Sequence, residues 1–225
     1  MSELPDWRAV YDFWFPPGLA EADTDSHGRH FARWFGGNAN VELPSFAPLI
    51  PLAAGGGLDA WLAEPRGRLS LILVLDQFPR GLFTGAPEAY ANDPMTLGLA
   101  EAGLRNGQYE ALVHPWEKTF FIMPLAHAEG PDHVERMRRV VALAEASARN
   151  CPPHLRLIYE HSAGQAREQL SVVSRFGRYP HRNAVLGRVS TPEEEEYLAE
   201  GDFVHLRPPP WIAARGDTGP AKAWG

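Results

Sequence analysis

The amino-acid sequence predicts an all-α fold, arranged as a single-domain helical array. Apolar residues recur at helical spacing along most of the chain, and prolines and glycines separate the segments that carry them. With 225 residues, of which 44% are hydrophobic, the chain can bury one large core. We therefore expect one α-helical domain over residues 1–201 and a Pro/Gly-rich C-terminal tail over residues 202–225.

The first quarter of the chain is predicted to form short helices. Asp6 precedes an apolar helical face and is a suitable N-cap, because its carboxylate can accept hydrogen bonds from the first backbone N–H groups. Pro16-Pro17-Gly18 is expected to end that helix. The Asp- and Gly-rich stretch that follows is interpreted as a loop, and His27 and His30 within it as surface or packing residues. Prolines and glycines between Val41 and Leu62 predict short helical pieces.

Residues 69–80, LSLILVLDQFPR, are predicted to form a buried central helix. A short apolar run fits a strand or a helix, but leucine outnumbers the β-branched residues here and a lone strand would have no partner. Asp76 lies near the end of this helix, where a carboxylate is costly to bury unless it is paired. Arg80 lies four residues further on, so the two can pair across one helical turn. Such a pair fits a structural role at the helix end as well as a chemical one.

Five further helices are predicted from their start and stop signals. Asp93 and Thr191 each stand before a proline, as N-cap residues often do, and Glu194 completes a capping box with Thr191. Gly107 and Gly177 are expected to end two of these helices. The predicted ranges are 93–106, 115–124 with Pro124 kinking or ending the helix, 132–149, 154–176 and 192–198.

Composition and the absence of known signatures exclude several classes of function. The chain carries 21 basic and 28 acidic residues, a net charge of −7, so nucleic acid and membrane surfaces are not expected partners. A single cysteine excludes an internal disulfide and a multi-cysteine zinc site. Nucleotide-binding glycine loops and the GxSxG and CxxC motifs are not found in the sequence. With no apolar run long enough to span a bilayer, the sequence predicts a soluble, cytoplasmic protein.

The densest polar segment of the chain is Arg175–Asn183, RFGRYPHRN, which holds three arginines, a histidine and an asparagine within nine residues. Clustered guanidinium groups repel one another unless carboxylates or an anionic ligand lie among them. The carboxylates considered within the protein are Asp76, Asp93 and Glu129. The alternative is a ligand that bears a carboxylate or a phosphate.

A second polar cluster, His127-Ala128-Glu129, follows the expected kink at Pro124. A histidine and a carboxylate two residues apart can act as a base and its orienting group, or supply two metal ligands. Two ligands do not make a metal site, and a histidine satisfied near a helix end is the more common case. His154 and His161, seven residues apart, are too distant for a joint metal site and are interpreted as surface or packing residues.

Several motifs together resemble the DUF924 family of bacterial proteins. The motifs are FWF at 13–15, LDQFPRGLF at 75–83, the spacing from Gly85 to Asp93, FFIMPLAHAEG at 120–130 and RFGRYPHRNAVLGRVSTPEEEEYL at 175–198. The resemblance covers roughly residues 7–198 and is specific, because PHRN, LGR and STPEE occur in order. It implies a fold similar to tetratricopeptide-like α-α superhelices. It implies no particular activity, because the family's name states that its function is not established.

The chain departs from the family's usual pattern at three places and is identified as a divergent member. Ala126 and Ala128 stand where the family usually has Glu and Ser, in PLAHAE against PLEHSE. Gln169 replaces a histidine and Gly81 replaces an asparagine. Loss of the Glu, Ser and His side chains around one pocket would enlarge it and remove acid/base groups. The resemblance then implies either loss of the family's chemistry or adaptation to a larger ligand.

Residue chemistry and the resemblance together give the candidate site. His127 or His181 is expected to act as general acid/base, oriented by Asp76 or Glu129. The residues expected to bind substrate are Arg80, Asp93, Arg175, Arg178, Arg182 and Asn183. No metal site is assigned and the cofactor is left open; in a metal- or haem-dependent enzyme, His127, Glu129 and His181 would be the ligands.

Two functions remain open at this point. The first is an enzyme that binds a small anionic or polar metabolite, in a specialised biosynthetic pathway. The second is a non-catalytic tetratricopeptide-like module that binds a peptide or protein, in which the charged motifs are structural ion pairs. An enclosed convergence of segments 76–80, 127–129 and 175–183 favours the enzyme, whereas mutual pairing along an open groove favours the module. The arginines around histidines favour the enzyme, and a homo-oligomer is possible.

Overall fold

A computed structural model of the chain describes residues 5–35, 38–207 and 209–213. Within these ranges the chain forms twelve α-helices and short 3₁₀ turns, with no β-strand, which confirms the all-α prediction. The tetratricopeptide-like arrangement remains a prediction. The helices are α1 (Trp7–Trp14), α2 (Thr24–Phe35), α3 (Leu49–Ala54), α4 (Pro65–Ile72), α5 (Phe78–Leu82), α6 (Asp93–Arg105), α7 (Gln108–Ala111), α8 (Pro115–His127), α9 (His133–Asn150), α10 (Arg156–Phe176), α11 (Pro192–Glu200) and α12 (Pro210–Ala213).

The centre of the fold is one continuous helix made of α4, a π-helical turn at Leu73–Gln77, and α5. All residues from 67 to 80 are buried, which confirms the helix predicted at 69–80 and extends it at both ends. The helix packs against α1, α6 and α8, which cover its largely apolar surface. The π turn contains Asp76, and single π turns of this kind are frequent at functional sites.

The prediction that His27 and His30 lie in a loop is wrong, because both belong to α2. The polar composition of this segment suggested a loop, but Asp23 accepts a hydrogen bond from the backbone N–H of Ser26 at 2.7 Å and caps the helix. His27 lies on the buried face, with its Nε2 2.9 Å from the hydroxyl of Tyr159. His27 is therefore a packing residue on a helix, which is one of the two interpretations, surface or packing residue, that the sequence left open for it.

Helix α8 continues one turn beyond Pro124 to His127. Of the two expectations for this proline, that it kinks the helix or ends it, the second is therefore wrong. A proline inside a helix removes one backbone hydrogen bond, but α8 packs against α4, α6 and α9, which hold its last turn in place. The extra turn places His127 at the C-terminal end of α8. Its side chain there faces Asp76 in the central helix.

The helices α9, α10 and α11 begin and end within two residues of the predicted positions. Helix α9 packs most extensively against α10, and α10 ends at Gly177, whose φ of 72° is the left-handed conformation that glycine adopts freely. A 3₁₀ turn at Pro180–Arg182 follows. Both hydrogen bonds of the predicted capping box between Thr191 and Glu194 are present at the start of α11.

Part of the predicted C-terminal tail packs onto the helical domain. Val204 is buried within a 3₁₀ turn at Val204–Leu206 that contacts α10. The ring of Trp211 lies against Phe31 and over Gly28 of α2, where a Cβ atom would be 3.1 Å from the indole. Residues 214–225 of the tail lie outside the described ranges. None of the described helices is both long and apolar enough to cross a membrane.

Candidate functional site

Asp76 is the centre of a buried hydrogen-bond network. Its side chain has no exposed surface. Arg80, one helical turn further on, donates to it at 3.0 Å, as the sequence spacing predicts, and the side chain of Gln77 also donates to it. The Nδ1 atom of His127 lies 2.9 Å from each carboxylate oxygen. Burial alone would raise the pKa of Asp76, but Arg80 and His127 outweigh it and lower the pKa to about 2.

Two arginines and a second carboxylate extend this network. Arg80 donates to both carboxylate oxygens of Asp93, at 2.8 and 2.9 Å, in the bidentate geometry typical of this pair. The Nη1 atom of Arg182 lies 3.4 Å from Oδ2 of Asp93 and donates a hydrogen bond to the backbone carbonyl of His127 at 2.8 Å. Asp93 is therefore not the cap of α6 but the link between two arginines from distant segments.

The guanidinium of Arg182 lies between two tyrosine rings. Its Cζ atom is 4.6 Å from the ring centroid of Tyr90 and 4.7 Å from that of Tyr179. Contacts of this kind stabilise a cation that is shielded from water. Arg182 is 5% exposed, and its Nε is buried without a hydrogen-bond partner among the described residues. Sequence reasoning missed Tyr90, since no local motif marks it.

His127 has the most exposed side chain of the ion-paired residues in this network, with 15% of its surface exposed. Burial and the neighbouring Arg80 lower its pKa, and Asp76 opposes them only in part. The imidazole is therefore neutral near pH 7. A carboxylate only accepts hydrogen bonds, so Nδ1 carries the proton and donates it to Asp76. The lone pair of Nε2 is then available, and Nε2 forms no hydrogen bond within the described part of the chain.

Glu129 forms no hydrogen bond or ion pair with His127 in the described part of the chain, so of the two orienting groups considered for this histidine only Asp76 bonds to it. The Glu129 carboxylate forms an ion pair with Arg188 and accepts a hydrogen bond from the backbone N–H of Tyr179 at 2.7 Å. Burial would raise its pKa, but these contacts lower it overall. Glu129 therefore fastens the 179–188 segment to the end of α8. Arg188 was missed, although it lies in the LGR motif.

Arg175, Arg178 and Asn183 point toward α11 and not toward the Asp76 network. Arg178 donates to both oxygens of Glu194 at 2.7 Å, and Asn183 donates to the same carboxylate at 3.1 Å. Arg175 forms an exposed ion pair with Glu193. The expectation that the three arginines of this segment form one cluster is wrong, because the turn directs Arg182 inward and the other two toward α11.

His181 pairs with a histidine that sequence reasoning missed, His205, which lies in the segment interpreted as a tail. Their ring centroids are 4.3 Å apart. Burial, with nearby His205 and Arg182, lowers the pKa of His181 to about 2. Burial, with nearby Arg182 and His127, lowers that of His205 to about 4. Both imidazoles are neutral near pH 7 and border the Asp76 network.

The described residues include no group of three or more His, Cys, Asp or Glu side chains placed to hold a metal ion. His127 and Glu129 each have other partners, and His181 lies against His205. The structure therefore does not bring His127, Glu129 and His181 together as the ligand set of a metal or haem enzyme.

The replaced family positions do not all leave open space. A Cβ atom at Gly81 would lie 2.5 Å from Leu43 and 2.6 Å from Asn40, so these side chains fill the volume there. Ala126 is buried, and its carbonyl accepts a hydrogen bond from the Tyr179 hydroxyl at 3.0 Å. Gln169 accepts from the same hydroxyl at 3.2 Å. At Gly81, neighbouring side chains therefore occupy the volume next to the missing side chain.

The fold and the site define an all-α protein with a buried Asp–His–Arg network at its central helix. A family model described as "Bacterial protein of unknown function (DUF924)" matches residues 10–202, and the chain belongs to this family. The chain is also similar to the solved structure of a protein of unknown function, ATU0120 from Agrobacterium tumefaciens. The two share 31% identity over 87% of this chain and 97% of that one, with a TM-score of 0.62. A search among curated proteins finds no match.

Proposed function

We propose that this protein is an enzyme in which His127 acts as general acid/base on a small polar or anionic metabolite. The observation that carries the proposal is the hydrogen bond from His127 Nδ1 to the buried carboxylate of Asp76, 2.9 Å from each oxygen. This arrangement fixes the ring and leaves the opposite nitrogen, Nε2, free to exchange a proton with a bound molecule. We expect the reaction to take place in the cytoplasm.

The charges of the buried network balance one another, which leaves neutral His127 as the group that responds to a bound substrate. The carboxylates of Asp76 and Asp93 offset the guanidinium groups of Arg80 and Arg182, and His127 is neutral. A substrate carboxylate or phosphate bound beside His127 would raise the pKa of the imidazole and draw a proton onto Nε2. The imidazolium formed in this way can then return the proton to the substrate as a general acid.

The proposal is tested by incubating the purified protein with a bacterial metabolite extract and following all masses over time. His127→Asn keeps a donor for Asp76 but removes the titrating nitrogen. We expect the wild-type protein to consume at least one metabolite, and this variant to do so at least about 100-fold more slowly, the usual size of a general acid/base effect. His154→Asn, at an exposed histidine, is the matched control and should keep wild-type turnover.

The alternative, a non-catalytic module that binds a peptide or protein, is favoured by a different observation. Glu194 receives hydrogen bonds from Arg178, Asn183 and the backbone of Thr191, which is what a structural ion-pair network requires. Half of the residues expected to bind substrate thus already have partners in α11. Equal turnover by His127→Asn and the wild type, or no turnover at all by the wild type, would overturn the enzyme proposal and favour this module.

A further inference from the structure

We propose that residues 202–207 form a strap over the His127 site that is released when His205 becomes protonated. The strap is defined here as Asp202–Arg207, the segment that follows α11 and its capping residue Gly201 and contains the 3₁₀ turn Val204–Leu206. This inference concerns the regulation of the proposed site. It rests on the proposed function only in assigning that site a role.

The strap is held by apolar, ring and charged contacts. Val204 is buried, and the Phe203 ring packs edge-on against Tyr197 of α11, with centroids 5.6 Å apart. The Arg207 guanidinium forms ion pairs with Asp202 within the strap and with Glu168 of α10. Because the ion pairs are exposed, they contribute little, and most of the attachment depends on the rings and on Val204.

His205 is the part of the strap that faces the site. Its ring stacks on that of Phe203 at an interplanar angle of 12° and lies 4.3 Å from the His181 ring. The groups that act electrostatically on it are Arg182 of the 180–182 turn and His127 of α8, which carry positive charge or none. Across the α10 contact, the Glu168 carboxylate is already paired with Arg207.

Protonation of His205 therefore places a positive charge near the guanidinium of Arg182. His181 does not compensate for this charge, because its pKa is lowered by burial, His205 and Arg182, and a neutral imidazole carries no negative charge. In the attached strap the pKa of His205 is lowered to about 4, below its ordinary value of 6.5, mainly by burial. A lowered pKa means that the stabilising contribution is complete above about pH 6.5 and is lost as pH falls toward 4.

Attachment and release of the strap have a direct consequence for the site. In the attached state the His205 ring lies against the half-buried His181, close enough to His127 for the two imidazoles to interact electrostatically. Release at low pH would expose these imidazoles to water and change access to His127. The site would then be most enclosed near neutral pH, where His127 is neutral and can act as a base.

Hydrogen exchange measured by mass spectrometry at pH 7.5 and pH 5.0 tests the inference without any substrate. After correction for the intrinsic pH dependence of exchange, we expect the amides of residues 203–207 to exchange about 30-fold faster at pH 5.0, as a His205 pKa of about 4 in the attached strap and 6.5 in the released strap requires. His205→Phe keeps a ring against Phe203 and His181 but does not titrate, and should abolish this acceleration. His154→Phe, at an exposed histidine, should leave it unchanged.

Two results would overturn the strap. One is equal corrected exchange of residues 203–207 at both pH values in the wild-type protein. The other is an acceleration at pH 5.0 that survives in both His205→Phe and His205→Gln; the second variant serves if the phenylalanine ring itself disturbs the packing. Since neither result depends on turnover, failure of the strap and failure of the enzyme proposal are separate outcomes.

Discussion

At the residue scale, the network depends on the carboxylate of Asp76, which is fully buried. Asp76 receives charged hydrogen bonds from Arg80 and His127, which offset the desolvation of a fully buried anion. Removing one partner of such a buried pair leaves an uncompensated charge. An ion pair with the same i,i+4 spacing on an exposed helix surface can lose one partner at little cost in stability, because water replaces that partner.

Asp76→Asn is therefore expected to lower the free energy of unfolding by about 3–5 kcal/mol, because it leaves the charge of buried Arg80 less well compensated. The control is Glu101→Gln, which breaks the exposed i,i+4 pair between Glu101 and Arg105 and should cost at most about 0.5 kcal/mol. Urea unfolding at pH 7 measures both. Equal costs for the two substitutions would contradict the account of a buried, interdependent network.

Sequence reasoning succeeded at this scale where partners are close in the chain. The pairing of Asp76 with Arg80 follows from helical geometry alone. The contact between Asp76 and His127 joins residues 51 positions apart, and helix periodicity cannot predict it. The same limit explains why Glu129 was considered as the orienting group: it is near His127 in sequence, whereas in the fold Arg188 takes its carboxylate.

At the element scale, the 175–183 segment acts as a connector between α10, the site and α11. Gly177 ends α10, and the turn that follows sends Arg182 to Asp93 and Arg178 to Glu194. The density of donors left two interpretations open, nearby carboxylates or an anionic ligand, and in the structure these arginines contact carboxylates. Asp93, the partner of Arg182, was among the carboxylates considered, whereas Glu194 was assigned only to the capping box of its own helix. In the fold Glu194 serves both purposes.

Glu194 predicts an acid-dependent loss of stability that is specific to α11. The hydrogen bonds from Arg178, against the opposing effect of burial, lower the pKa of Glu194 to about 2 from an ordinary 4.5. A lowered carboxyl pKa stabilises the fold above about pH 4.5, and this contribution disappears as pH falls toward 2. Glu194→Gln should thus cost about 1.5–3 kcal/mol at pH 6, the range for hydrogen bonds to a charged group, and progressively less below pH 4.5.

The matched control for this prediction is Glu195→Gln, an exposed glutamate in the first turn of the same helix. It experiences the same helix dipole but lacks the contacts of Glu194, so its cost should be a few tenths of a kcal/mol. Urea unfolding from pH 6 to pH 3 measures both variants. A cost for Glu194→Gln that does not change with pH would show that the carboxylate is not held in its ionised form by Arg178.

At the scale of the whole molecule, one central helix and the last turns of its neighbours assemble the site. Asp76 comes from the central helix, His127 from the end of α8, and Arg182 from the turn after α10. The sequence predicted the helices well because their caps and apolar periodicity are local. It misplaced α2, whose polar residues suggested a loop, and it missed His205, because packing of the C-terminal segment onto α10 depends on tertiary contacts.

The protonation state of His127 is the measurement that tests the central claim most directly. Long-range ¹H–¹⁵N spectroscopy of the histidine side chains, with His127→Asn for assignment, reports which ring nitrogen carries the proton. At pH 7 we expect a neutral ring with the proton on Nδ1 and a free Nε2, and a titration midpoint below 6.5. A doubly protonated imidazolium at pH 7, or a neutral ring with its proton on Nε2, would contradict the account, because His127 could then not act as the base.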